Sequence, residues 1–211
     1  QMATMFGGTS YNVTGRGHHG LNNIKHENGF SAFWDAFVAG GNDVTDGVDR
    51  NTAGNHLGSY NMALSYVTPE WKARAYFERY FEDQSMLTLQ YRIYDHLLGL
   101  EVELPKNPFA NSFVLEHIST KDQSGAVYHD KTASMPDKMN GRDNYYYHLL
   151  YTGWQHWGMA LGHPLITSPI YNENNVINFR NNRIKAWHFG LSGQPTDELA
   201  YRVLLTFTEN W

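Results

Sequence analysis

Residues 186–211, AWHFGLSGQPTDELAYRVLLTFTENW, decide the fold. Trp187, Phe189 and Leu191 alternate with Ala186, His188 and Gly190. After the turn residues Gly193, Gln194, Pro195, Thr196 and Asp197, the same period returns. Leu199, Tyr201, Val203, Leu205 and Phe207 interleave with Ala200, Arg202, Leu204 and Thr206. Successive side chains of a strand point to opposite faces, so this pattern is an antiparallel hairpin with one apolar and one polar face.

The period of two extends upstream. Tyr60, Met62, Leu64 and Tyr66 alternate with Ser59, Asn61, Ala63 and Ser65. Beyond a Thr68-Pro69-Glu70 turn, Trp71, Ala73, Ala75 and Phe77 alternate with Lys72, Arg74, Tyr76 and Glu78. Further strands are expected over 87–93, 98–104 and 112–116. The strands run about 8–10 residues, a length that crosses a bilayer when tilted, and short turns alternate with long loops at 119–145 and 168–183. Phe30, Phe33, Trp34 and Phe37 break the pattern with 3–4 spacing, which predicts a short amphipathic helix over 30–39, stopped by Gly40-Gly41. A half-buried sheet of a soluble sandwich alternates in the same way, so barrel and sandwich both remain open from the pattern alone.

Composition narrows the classes. A net charge of −5 and the lack of any long basic run argue against nucleic acid as a partner. With no cysteine, disulfides, thiolate metal sites and a Cys nucleophile are excluded. No run approaches 18 consecutive apolar residues, so no transmembrane helix is expected, but a transmembrane β-barrel has soluble-looking average hydropathy. The chain starts at Gln1 without a signal-peptide pattern, and a mature or truncated product is expected.

Several segments together resemble the capsule assembly Wzi family in its Bacteroidetes-type form. They are Met5-Phe6-Gly7-Gly8, the helix with Phe33-Trp34, Phe81-Glu82-Asp83, DHLLGLEVELPKNPF (95–109) and EHISTKDQSG (116–125). YYYHLLYTGWQHWGMALGHPLITSPIYN (145–172) is the most specific stretch, and NNRIKAWHFGLSGQPTDELAYRVLLTFTENW (181–211) completes the set. The resemblance implies a many-stranded outer-membrane β-barrel of a Gram-negative bacterium. Its implied work is capsular polysaccharide assembly or attachment, lectin-like rather than enzymatic. Because such proteins are longer, the resemblance also implies one barrel domain over 1–211 that is incomplete at both ends.

Candidate sites follow from side-chain chemistry. Tyr145, Tyr147, Trp154, His156 and Trp157 suit a sugar platform, since flat rings stack on pyranose C–H faces while imidazole meets hydroxyls. An interface belt, or packing inside a large loop, would use the same residues. Lys72, Arg74, Glu78, Arg92, Glu101, Glu103 and Arg202 form the expected lumen-facing set; both signs are interleaved, so a salt-bridge ladder is the plainer alternative to a glycan track. His148, His156 and His163 stand seven to eight apart, which is no compact ligand spacing, and His18-His19 lies in a Gly-rich stretch. Residues 42–55 lack the glycine and glutamate of a calcium loop. No G-x-S-x-G occurs. Glu101 and Glu103, about 6.5–7 Å apart by strand rise, fit a glycosidase pair only loosely.

The expectation is therefore an all-β, antiparallel transmembrane β-barrel, or part of one, with a short helix near 30–39. It carries no catalytic residues, cofactor or metal. Its partners are surface polysaccharide and outer-membrane lipid. A porin-type channel and a soluble β-sandwich carbohydrate-active protein are the alternatives.

Overall fold

The structure, a computed structural model, describes residues 2–4, 9–10, 24–25, 29–38, 56–82, 94–105, 109–123, 133, 145–146, 155–160, 162–173 and 179–211. Its elements are β1 (Met2–Thr4), β2 (Thr9–Ser10), β3 (Ile24–Lys25), α1 (Phe30–Val38), β4 (His56–Val67), β5 (Lys72–Glu82), β6 (His96–Glu103), β7 (Ser112–Ser119), β8 (Gln155–His156), β9 (Met159–Ala160), a 3₁₀ turn (Pro169–Tyr171), β10 (Ile184–Gly193) and β11 (Tyr201–Asn210). Two compact units are formed. One comprises Gln1–Gly58, Phe81–Arg92 and Gln123–Asn182; the other comprises Ser59–Tyr80, Ile93–Asp122 and Arg183–Trp211. The expected strand over 87–93, with Arg92, lies outside the described residues, as do residues 42–55, His18, His19 and His148.

The main sheet has the order β1-β4-β5-β6-β7-β10-β11. Six long antiparallel strands make its body, and the three residues of β1 pair only with His56, Leu57 and Gly58 of β4. Tight turns set the register. Thr68 accepts the backbone N–H of Trp71 on its hydroxyl at 3.0 Å and donates its own N–H to Trp71 O at 2.9 Å, which closes the β4–β5 hairpin. At the β6–β7 turn Leu104 N donates to Asn111 O at 2.9 Å, and Asn111 N donates to Ser192 O at 2.7 Å. The turn is thereby tied to the neighbouring β10.

The register sorts the side chains into two faces of opposite chemistry. On one face three rows cross five strands: Phe77, Leu98, His117, Trp187, Phe207; then Ala75, Leu100, Leu115, Phe189, Leu205; then Ala73, Val102, Phe113, Leu191, Val203. These rows carry no Asp, Glu, Lys or Arg, yet Leu98, Leu100, Trp187, Phe189, Leu191, Val203, Leu205 and Phe207 are all exposed. At one end a polar row of His96, Ser119, Lys185 and Glu209 closes this band. Beside that row, His117 packs on Trp187 with ring centroids 4.5 Å apart. At the other end Trp71 packs against Tyr66 with tilted rings, centroids 5.3 Å apart.

The opposite face is polar and internally bonded. Lys72 and Glu103 stand directly opposite and pair at 2.9 Å; Arg74 and Glu101 do the same at 3.9 Å. Tyr76 lies over Gly99 and donates its hydroxyl to Glu116 on β7. A side chain at Gly99 would collide with the Tyr76 ring, so the glycine is what lets the tyrosine reach across a strand. Ser112 bonds Ser192 at 2.7 Å and His188 bonds Thr206 at 2.9 Å. Towards the end that carries Glu78, this face is packed instead by Ile118, Ile184 and Ala186, all buried.

Two expectations change here. First, the sheet is not closed into a barrel: among the described residues β11 pairs with β10 alone, and no pairing joins it to β4. Six strands are too few to complete the circumference of a transmembrane barrel, which begins at about eight. Second, α1 forms where the 3–4 spacing placed it, but Phe30, Phe33, Trp34 and Phe37 are exposed and stack on one another, Trp34 on Phe37 at 5.6 Å.

Candidate functional site

In the first unit the aromatic segment is built as a small hairpin set on a turn. β8 and β9 pair His156 with Met159, leaving Trp157 and Gly158 as the two turn residues. Both have positive φ, 50° and 82°, which is the mark of a two-residue I′ hairpin. Glycine suits that backbone and tryptophan does not. Two hydrogen bonds dock the hairpin onto the segment that follows: Ala160 N donates to the buried Ser168 Oγ at 2.9 Å, and Ile170 N donates to Gly158 O at 2.9 Å. A Cβ on Gly158 would meet the Ile170 Cβ at 3.1 Å, so hairpin and 3₁₀ turn touch as closely as backbone permits.

The supporting loop is held from the far side. Thr167 and Arg180 exchange backbone hydrogen bonds at 2.8 and 3.2 Å, and Asn181 Nδ2 donates to Thr167 Oγ1 at 2.8 Å. Tyr146, with φ of 70°, packs its ring 5.7 Å from Phe179 and over Gly162, where a side chain would collide with it. A buried amide network closes the base. Tyr145 N donates to Gln123 Oε1 at 2.9 Å, Gln123 Nε2 to Asn182 O at 3.0 Å, and Asn182 Nδ2 to Tyr145 O at 3.2 Å.

Of the five residues expected on a sugar platform, two are brought together at the surface. His156 and Trp157 are exposed, with ring centroids 6.2 Å apart in an edge-on arrangement. Tyr145 is 3% exposed, so its ring offers no face to a ligand; its part is to anchor the loop through its backbone. Tyr147 and Trp154 lie outside the described residues. The structure adds exposed neighbours that the sequence reading did not single out: Met159, Ile170 and Tyr171.

In the second unit Lys72, Arg74, Glu78, Glu101, Glu103 and Arg202 share the polar face, as the alternation required. Lys72, Arg74, Glu101 and Glu103 neutralise one another in two cross-strand pairs, so the face forms the salt-bridge ladder rather than a basic track. No family model matches this chain, no curated protein matches it and no solved structure matches it. Its function has to be argued from these residues.

Proposed function

We propose that this chain is part of a transmembrane β-barrel of a Gram-negative outer membrane, and that it handles capsular or other surface polysaccharide without catalysis. The observation that carries the membrane half is the exposed apolar face. Soluble monomers rarely leave such a contiguous band uncovered. Ten-residue strands such as β10 and β11 span about 33 Å, or about 25 Å when tilted by some 40°, which matches the apolar belt of outer-membrane barrels. Tyr and Trp at the ends of the band suit the two interfaces. The salt-bridged polar face suits a lumen. A soluble sandwich would cover the apolar face with a second sheet, but the other sheets among the described residues have two strands each.

Closure follows from strand direction. In an antiparallel order of six, β4 and β11 run oppositely, so a barrel is completed by an even number of further strands between them. The glycan half of the proposal rests on His156 and Trp157, and on the resemblance of residues 145–172 to the capsule assembly Wzi family. Weak ring stacking and hydroxyl contacts repeated along a polymer would sum to useful avidity.

The test is fractionation of cells making the native product, followed by electrophoresis of boiled and unboiled samples. Recovery in the outer membrane with heat-dependent mobility is expected. Recovery in the soluble fraction with no mobility shift would sink the barrel. Loss of capsule retention in a Trp154→Ala, Trp157→Ala double variant is the matching expectation for the glycan half.

A further inference from the structure

Trp157 and Tyr171 flank a single backbone hydrogen bond. Gly158 O accepts from Ile170 N at 2.9 Å, and each aromatic is one residue away from that bond. Both are well exposed, Trp157 at 85% and Tyr171 at 65%. Arg180 is fixed to the same turn by two connections. Its backbone is bridged to Thr167, and its guanidinium Nη2 donates to Tyr171 O at 3.3 Å. Between residues 144 and 182 Arg180 is the only Lys or Arg, and Glu173 is the only carboxylate; both are exposed. A guanidinium is thus held at the carbonyl of the residue whose ring is offered to solvent.

We propose that Trp157, Tyr171 and Arg180 form a subsite for one carboxylate-bearing sugar unit, such as a uronate, of the bound glycan; this rests on the glycan reading above. An indole or phenol ring takes the C–H face of a pyranose. A planar guanidinium takes a carboxylate through paired, charge-assisted N–H bonds, with geometry that an ammonium lacks. His156, edge-on to Trp157, supplies a hydrogen-bonding group for sugar hydroxyls. Glu173, two residues after Tyr171 in the chain and exposed, carries the charge opposite to that of Arg180, so removing it should favour an acidic ligand.

The native product, extracted in detergent, is titrated calorimetrically with hexagalacturonate and with neutral maltohexaose. Arg180→Gln is expected to weaken hexagalacturonate about tenfold and leave maltohexaose unchanged, while Glu173→Gln tightens hexagalacturonate. Trp157→Asn should weaken both sugars; asparagine is favoured at that turn position, so the hairpin is retained. If Arg180→Gln leaves hexagalacturonate binding unchanged, or weakens both sugars equally, the acidic subsite is overturned, and a persisting effect of Trp157→Asn keeps the glycan site itself. Should neither sugar bind the unsubstituted chain, the glycan reading falls and the subsite with it. Both fall equally if Trp157→Asn changes only partition into phosphatidylethanolamine–phosphatidylglycerol vesicles.

Discussion

Trp157 holds a backbone angle that its side chain disfavours. A bulky L-residue in the left-handed region costs about 1–2 kcal/mol, and the cost persists here because two hydrogen bonds fix the hairpin on its turn. Trp157→Asn should therefore raise the urea midpoint by the equivalent of about 1 kcal/mol while weakening sugar binding. A midpoint that falls would mean that the indole packs for stability rather than for a ligand. Gly99 is constrained differently. Gly99→Ala places a methyl in the Tyr76 ring and breaks its bond to Glu116, a loss of about 1–3 kcal/mol that denaturant titration would read. At this scale the sequence exposed His156 and Trp157 as candidates by chemistry alone. It grouped Tyr145 with them, yet Tyr145 is buried and its backbone is bonded to Gln123 and Asn182, far away in the chain.

Among the elements, β11 distinguishes pattern from register. Val203, Leu204 and Leu205 are three consecutive apolar residues, and only the period of two across 199–207 sets Leu204 apart from its neighbours. Pairing with β10 settles it. Leu204 stands opposite Gly190 on the polar face, whereas Val203 and Leu205 join Leu191 and Phe189 on the apolar one. Because the chain has no cysteine, single cysteines carrying a spin label can be placed without background. Labels at 203, 205 and 207 are expected to collide preferentially with oxygen in the bilayer, and labels at 202, 204 and 206 with a water-soluble nickel reagent. No alternation would reject the assigned faces. By the same logic, Leu205→Arg should cost about 2–4 kcal/mol of membrane stability near the middle of the band, whereas Leu204→Arg should be tolerated. Folding yield into detergent micelles or vesicles measures the difference. The helix α1 was legible from its 3–4 spacing, but the fate of its aromatic stripe was not, since spacing says which residues share a face and not what covers it.

For the whole molecule, the open sheet has a direct consequence. Among the described residues β11 ends the sheet, and on its outer side β4 meets only the three-residue β1. Unpaired backbone groups are costly in lipid and invite association in water. The 211-residue chain by itself is therefore expected to migrate as oligomers or aggregates in mild detergent and to lack the heat-dependent mobility expected of the native product. A monodisperse monomer by light scattering, with a heat-dependent shift, would show that these residues close a barrel unaided.

The sequence by itself determined the all-β class, the antiparallel hairpins, the short helix and the division into apolar and polar strand faces. Each of these depends on local periodicity, which two to four neighbouring residues express. Tertiary structure alone decided that the charged face is a ladder of Lys72–Glu103 and Arg74–Glu101 pairs, that Tyr76 crosses Gly99, that the sheet stays open, and that hydrogen bonds from Ile170 to Gly158 and from Arg180 to Tyr171 link the segments of Trp157, Tyr171 and Arg180. These features join residues far apart in the chain. Their geometry comes from strand register and loop docking, and no local pattern encodes either.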